Sequence, residues 1–253
     1  MEYIALGKSN LLVSRTAFGA YGLQHIESDE EASSLVLQAY EGGINFFDTS
    51  RAKPESERRL GYAIHQIRKD LIIATKTQSL STSQIRLDLE ESLVALDCDY
   101  IDLYQIETTS FVPQKNSPDG IYKALLKLKE TKKIRHIGIV TDSVNIAKEA
   151  VESGLYETIQ LPFNMLTSSD YEEVVKLCEE RDVGFIAMQP LCGGVIRNIP
   201  LAYGFYKQFE NAVPLWGFRS QEELQQILYF QAHPPVVDEK FMQEAEQTRE
   251  FFS

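Results

Sequence analysis

Short apolar runs alternate along the chain with longer segments whose apolar residues recur every three or four positions. The short runs cover residues 16–18, 44–47, 71–75, 101–106, 136–140, 158–161, 184–188 and 212–215. They are too short for helices, and several are rich in β-branched residues, as strands buried on both faces are. The longer segments carry helix signals. Ser81-x-x-Gln84 has the form of a capping box and precedes Ile85, Leu89, Leu93 and Leu96 at helical spacing. Tyr171, Val174, Val175 and Cys178 mark the buried stripe of another helix, and Ser220-x-x-Glu223 opens one with Leu224, Ile227 and Leu228 turned inward. Gly154 and Gly184 fit as stop signals for the helices before them. A further helix is predicted over 238–252.

Eight strands alternating with eight helices predict an α/β fold, a (β/α)8 TIM barrel, with residues 1–253 as one domain. The length, 253 residues, is close to the roughly 250 of such a barrel. Alternation alone also allows an open, doubly wound sheet. No internal repeat or low-complexity linker interrupts the pattern.

Composition narrows the partners. A formal charge of −12 disfavours nucleic acid or an anionic membrane surface. The three cysteines, Cys98, Cys178 and Cys192, are odd in number and without C-x-x-C spacing, so no disulfide framework or metal–sulfur site is expected. His25 and His65 have no i, i+4 partner, and no metal site is expected from them either. Neither a signal peptide nor a run of about 18 apolar residues is present, which makes the cytoplasm the expected location. The absence of G-x-S-x-G and of G-x-x-x-x-G-K-[ST] argues against hydrolase and P-loop readings.

The chemistry rests on an ordered set of motifs. Gly43-Ile44-Asn45-Phe46-Phe47-Asp48-Thr49-Ser50 ends the second strand, and Ser56-Glu57-Arg58-Arg59-Leu60-Gly61 follows. Next come Ile73-Ala74-Thr75-Lys76, then Asp99-Tyr100-Ile101-Asp102-Leu103-Tyr104-Gln105-Ile106-Glu107, then Lys133-Ile134-Arg135-His136-Ile137-Gly138. From Leu6 to about Phe230 the chain resembles the aldo-keto reductase family. Met188-Gln189-Pro190-Leu191-Cys192-Gly193-Gly194 resembles its branch with a ferredoxin-like tail, although no cysteine cluster follows here.

The resemblance implies a nicotinamide cofactor, NADP or NAD, and a small carbonyl or enone substrate. In the family a tyrosine gives a proton to the substrate oxygen, helped by a lysine, an aspartate and a histidine. Asp48 and Lys76 match the aspartate and lysine, whereas the tyrosine position holds Lys53 and the histidine position Glu107. A glutamate there resembles a family variant that reduces carbon–carbon double bonds. Lys53, with a reference pKa of about 10.4, is expected near Lys76, where repulsion would lower one of the two. It could then donate a proton or act as an amine nucleophile. The plainer reading is an ion-paired cluster of Asp48 and Glu107 with Lys53 and Lys76.

For the cofactor, the resemblance assigns Gln160 to the nicotinamide carboxamide and places Thr141 and Met188 beside it, with polar contacts weaker than the family's. A hydrogen-bonded barrel glutamine and plain core packing are the rival readings of Gln160 and Met188. Leu191, Gly193 and Gly194 after strand seven, and Arg219 and Ser220 before the last barrel helix, are candidates for the phosphates. A solvated arginine is the alternative for Arg219. Three functions stay open: an oxidoreductase with a substituted tetrad, an inactive barrel serving as a binding or regulatory subunit for a protein partner, and a lysine-dependent lyase or isomerase. The second has a family precedent in the modifier subunit of glutamate–cysteine ligase.

Overall fold

The computed structural model describes residues 1–252. The chain opens with an antiparallel hairpin, β1 (Tyr3–Ala5) and β2 (Leu12–Ser14), in which Ile4 lies opposite Val13. Eight parallel strands then close into a barrel: β3 (Ala17–Gly19), β4 (Phe46–Asp48), β5 (Ile72–Thr77), β6 (Ile101–Glu107), β7 (Ile134–Val140), β8 (Thr158–Pro162), β9 (Gly184–Met188) and β10 (Ala212–Gly217). β10 pairs with β3, so the sheet has no edge. The alternation therefore closes instead of forming an open sheet.

One helix follows each barrel strand: α1 (Asp29–Glu41), α2 (Pro54–Ile64), α3 (Thr82–Ala95), α4 (Ile121–Glu130), α5 (Val144–Glu152), α6 (Ser169–Glu180), α7 (Ile199–Tyr206) and α8 (Gln221–Ala232). Last comes α9 (Glu239–Phe252), started by Asp238, whose carboxylate accepts the Phe241 N–H at 2.9 Å.

Successive strand residues face opposite sides, and this divides the interior into two cores. Phe47, Ile73, Tyr104, Ile137 and Ile159 point outward against the helices. Phe46, Ala74, Leu103, Ile186, Val213 and Leu215 point inward and fill the barrel together with Leu6 and Val13 from the hairpin. Asp48, Lys76 and Gln105 share the inward phase one or two steps further on. The lower barrel is thus apolar and its C-terminal end polar.

Two local expectations need correction. Gly184 does not stop a helix; it is the first residue of β9. The turn before it is made by Asp182, at φ 53°. Gly184 is needed because a Cβ there would come within 2.6 Å of Leu6, where the hairpin closes the bottom of the barrel. Ser81 does precede α3, but its capping box is not formed. Its hydroxyl meets that of Ser83 at 2.9 Å, and Gln84 donates instead to Asp88 at 2.9 Å. The bond to the ionised Asp88, which also accepts from Ser79 at 2.7 Å, turns the Gln84 amide forward along the helix, away from the Ser81 N–H that its oxygen would accept in a capping box. At α8 the box is half made. The Ser220 hydroxyl accepts the Glu223 N–H at 3.3 Å, while Glu223 reaches past Ser220 to the Arg219 N–H at 2.7 Å.

Candidate active site

The C-terminal ends of the strands carry a buried polar cluster centred on Asp48. Lys76 Nζ donates to Asp48 Oδ2 at 2.5 Å and to the Thr49 carbonyl at 2.7 Å. Gln105 Nε2 donates to Asp48 Oδ1 at 3.2 Å, and Gln160 Nε2 approaches Oδ2 at 3.4 Å. Burial pushes the Asp48 carboxyl up, against the Lys76 ammonium and the two amides, which favour its ionised form.

The strand bearing Lys76 is braced from outside. Thr75 and Thr77 flank Lys76 and point away from it. Thr75 and Ser92 donate to Glu57 Oε1 at 2.7 Å each, and Thr77 donates to Asp88. Glu57, wholly buried on α2, has Arg51 at 2.7 Å from its other oxygen. Burial raises its carboxyl, while the Ser92 and Thr75 hydroxyls and the Arg51 charge oppose the rise.

Lys53 and Glu107 are not drawn into this cluster. Lys53 precedes α2 as its N-cap residue, and its ammonium lies over the Tyr21 ring, 5.0 Å from the centroid. Among the described residues no carboxylate lies within 4.0 Å of it, and Glu107, at the end of β6, likewise has no ion pair. Lys53 and Glu107 thus do not join Asp48 and Lys76 in a four-membered ion cluster; among the described residues, Asp48 is the carboxylate in ion-pair contact with Lys76. The segment around Tyr21 is held to this corner by Ser56, whose hydroxyl donates to the Ala20 carbonyl and meets that of Thr49, both at 2.8 Å.

The remaining candidates are dispersed along the rim. The amide oxygen of Gln160 accepts from Gln105 at 2.8 Å, so this residue is at present a hydrogen-bonded barrel glutamine. The hydroxyl of Thr141 accepts the Ser143 N–H at 3.1 Å, in a local turn that leads into α5. Met188 ends β9, half-buried beside the inner core. Beyond it the chain runs through left-handed conformations at Gln189, Cys192, Gly193 and Gly194. Asn164 pins this loop by donating to the Gln189 carbonyl at 3.0 Å. A Cβ on Gly193 or Gly194 would meet nothing within 4 Å, so backbone there is open to a ligand. Leu191 packs against the outer core instead. Arg219 is exposed, Ser220 caps α8, and Glu223 already covers the Arg219 N–H.

Gln105 was not anticipated as a site residue. Its signal was in the strand period, because it shares the inward phase of Leu103 and Glu107.

Comparison with known proteins agrees with this architecture. The model of the aldo/keto reductase family matches residues 17–201, most of the barrel. The chain belongs to the aldo/keto reductase family. It is 28% identical over 227 residues to the uncharacterized oxidoreductase YqkF of Bacillus subtilis, covering 84% of this chain and 72% of that protein. It is 29% identical over 214 residues to the L-galactose dehydrogenase of Arabidopsis thaliana, covering 78% and 67%. The chain spans about two thirds of the length of several such relatives. The aldo-keto reductase AKR11C1 from Bacillus halodurans, in its holo form, superposes with a TM-score of 0.86 at 22% identity, covering 98% of this chain and 96% of that one. The aldo/keto reductase barrel is thus established. Among the described residues no group of three or more His, Cys, Asp or Glu gathers as metal ligands, and no helix is long and apolar enough to cross a membrane.

Proposed function

We propose that this chain is a nicotinamide-dependent oxidoreductase that reduces a small carbonyl or enone, with a substituted proton-transfer apparatus. The observation that carries this reading is the Lys76–Asp48 pair, buried at the C-terminal mouth of an aldo/keto reductase barrel. Barrel enzymes assemble their chemistry at that mouth.

The residues present suit the cofactor best at its phosphate end. Gly193 and Gly194 leave open backbone, and the exposed Arg219 stands beside the N-terminus of α8. Glu223 would have to release the Arg219 N–H for a phosphate to take it. At the other end Gln160 keeps an N–H for the carboxamide. When bound, the reduced cofactor, NADPH or NADH, would supply the hydride to the substrate carbon and leave as its oxidised form. Lys53 supplies the proton to the substrate oxygen from Nζ, which no carboxylate neutralises, and regains it from water. Glu107 would orient the substrate, and the Asp48–Lys76 pair would supply a fixed dipole at the barrel mouth.

Titration with NADPH and NADH, followed by fluorescence or calorimetry, tests the cofactor site. Micromolar binding of either is expected, and no binding at millimolar concentration would overturn the proposal. Lys53→Met should then reduce turnover by about a hundredfold or more, the usual scale of a proton donor, while leaving cofactor affinity unchanged. Full activity in that variant would remove Lys53 from the mechanism.

A second reading, a non-catalytic barrel that binds a protein partner, draws on one observation: Lys53 and Glu107 stand outside the Asp48–Lys76 cluster. Turnover of any carbonyl substrate would end it.

A further inference from the structure

Gln105 has no assigned part in the chemistry, yet it is fully buried and forms the hub of a closed ring at the centre of the mouth. Its Nε2 donates to Asp48 Oδ1 at 3.2 Å and to Gln160 Oε1 at 2.8 Å. Gln160 Nε2 returns to Asp48 Oδ2 at 3.4 Å and completes the circuit. The carboxylate sets the direction of every bond. An ionised Asp48 can only accept, so both amides must turn their N–H groups toward it. Reversing either amide would set a carbonyl oxygen against a carboxylate oxygen.

The cost of this arrangement shows where the constraint lies. Gln105 Oε1 is buried with no hydrogen-bond partner, so its lost hydration is not replaced. Gln105 is therefore oriented by its neighbours at the expense of its own oxygen. Gly138 on the adjacent strand makes room for it. A Cβ at 138 would stand 3.0 Å from Gln105 Cγ, 3.1 Å from its Oε1, and 2.2 Å from the Thr158 hydroxyl.

We infer that Gln105 is a positioning residue, which fixes the orientation of the Gln160 amide and couples that cofactor-facing group to the Asp48–Lys76 pair. This rests on the reading of Gln160 as a nicotinamide contact. With one lone pair of its oxygen held by Gln105 and one N–H aimed at Asp48, the Gln160 amide is fixed in one orientation, and its second N–H is the donor it presents to the carboxamide. Without Gln105 the amide is free to turn, and part of the cofactor affinity goes with it.

The test is a double-mutant cycle on NADPH and NADH affinity, using Gln105→Met, Gln160→Met and the double variant. Gln105→Met is expected to weaken binding about tenfold, the worth of one positioned hydrogen bond. In the Gln160→Met background the same change should have almost no further effect, because Gln105 acts through Gln160. Thr158→Val, which removes an unpartnered hydroxyl from the same core, should bind as the parent does. Wild-type affinity in Gln105→Met, or penalties that simply multiply, would overturn the inference.

Side-chain amide NMR reads the ring without any cofactor or variant. The parent protein should show slowly exchanging Nε2 protons on Gln105, with a nuclear Overhauser contact to the Gln160 side chain. Fast exchange and no such contact would refute the ring. Should the parent bind neither cofactor, the oxidoreductase reading falls, and the NMR result then decides the positioning role alone.

Discussion

Lys76→Met is the perturbation that bears most directly on the buried pair. It removes the 2.5 Å contact to Asp48 and the 2.7 Å bond to the Thr49 carbonyl, and leaves a carboxylate whose side chain is 6% exposed. Breaking a buried pair from one side costs about 3–5 kcal/mol. Asp48 keeps two long amide bonds from Gln105 and Gln160, which sets the expected loss near the lower end, about 3 kcal/mol. For a barrel of this size that corresponds to a fall in Tm of roughly 6–12 °C. The pH dependence is the sharper signature. Burial already raises the Asp48 carboxyl in the folded state, and loss of Lys76 raises it further. A carboxyl with a raised folded pKa contributes stability below its unfolded value of 3.8, and that contribution is lost as pH rises through the folded value. The gap between variant and parent should therefore be smallest near pH 4 and widen as pH rises. Urea unfolding of both proteins across that range measures it, and other titrating groups cancel in the difference. Asp48→Asn combined with Lys76→Met should recover much of the loss, since no charge is left buried. A gap that is the same at pH 4 and pH 8, or below about 1 kcal/mol throughout, would refute the argument that Lys76 holds a desolvated carboxylate.

Two further outcomes can be checked. Arg219→Ala should weaken NADPH binding about tenfold, the scale of one charge-assisted contact, and should reduce the sensitivity of binding to salt; unchanged titrations would return Arg219 to the solvent. At the opposite end of the barrel, burial works against ionisation of Glu157, but hydrogen bonds from His136, the Ile137 N–H and Lys129 prevail and hold its carboxyl at about 2. That stability is present above the ordinary value of 4.5 and is lost as pH falls toward 2. Glu157→Gln should accordingly flatten acid unfolding between those limits, and an unchanged acid transition would exclude the group.

The barrel was legible because its signal is redundant. Eight apolar runs had to be buried on both faces, and each was followed by a helix-period segment, so errors of one or two residues at an end did not disturb the alternation. The hairpin Tyr3–Ser14 was less visible, because three-residue strands carry too few alternations to separate them from a loop. Ser81-x-x-Gln84 shows the limit of a local motif. The residues suit a capping box, yet the Gln84 amide donates forward to Asp88, one turn further along the same helix, and does not reach back to accept the Ser81 N–H.

The site divides along the same line. Asp48 and Lys76 could be located from sequence, since each ends or nearly ends an apolar run and the motif order assigns them to neighbouring strands. By its resemblance to the family, the sequence also singled out Lys53 and Glu107 for the expected positions of the tyrosine and the histidine. Whether those four would meet was decided by the tertiary structure alone. Lys53 lies on the loop side of α2, where the Tyr21 ring receives it, whereas Lys76 points down its strand into the barrel beside Asp48. Gln105 is the clearest case. Its strand period gives the face it takes but not what it meets there, because its partners are 57 residues before and 55 residues after it. A period along the chain tells which face a side chain takes. What waits on that face comes from strands brought together by closure of the sheet, and closure is a property of the whole chain.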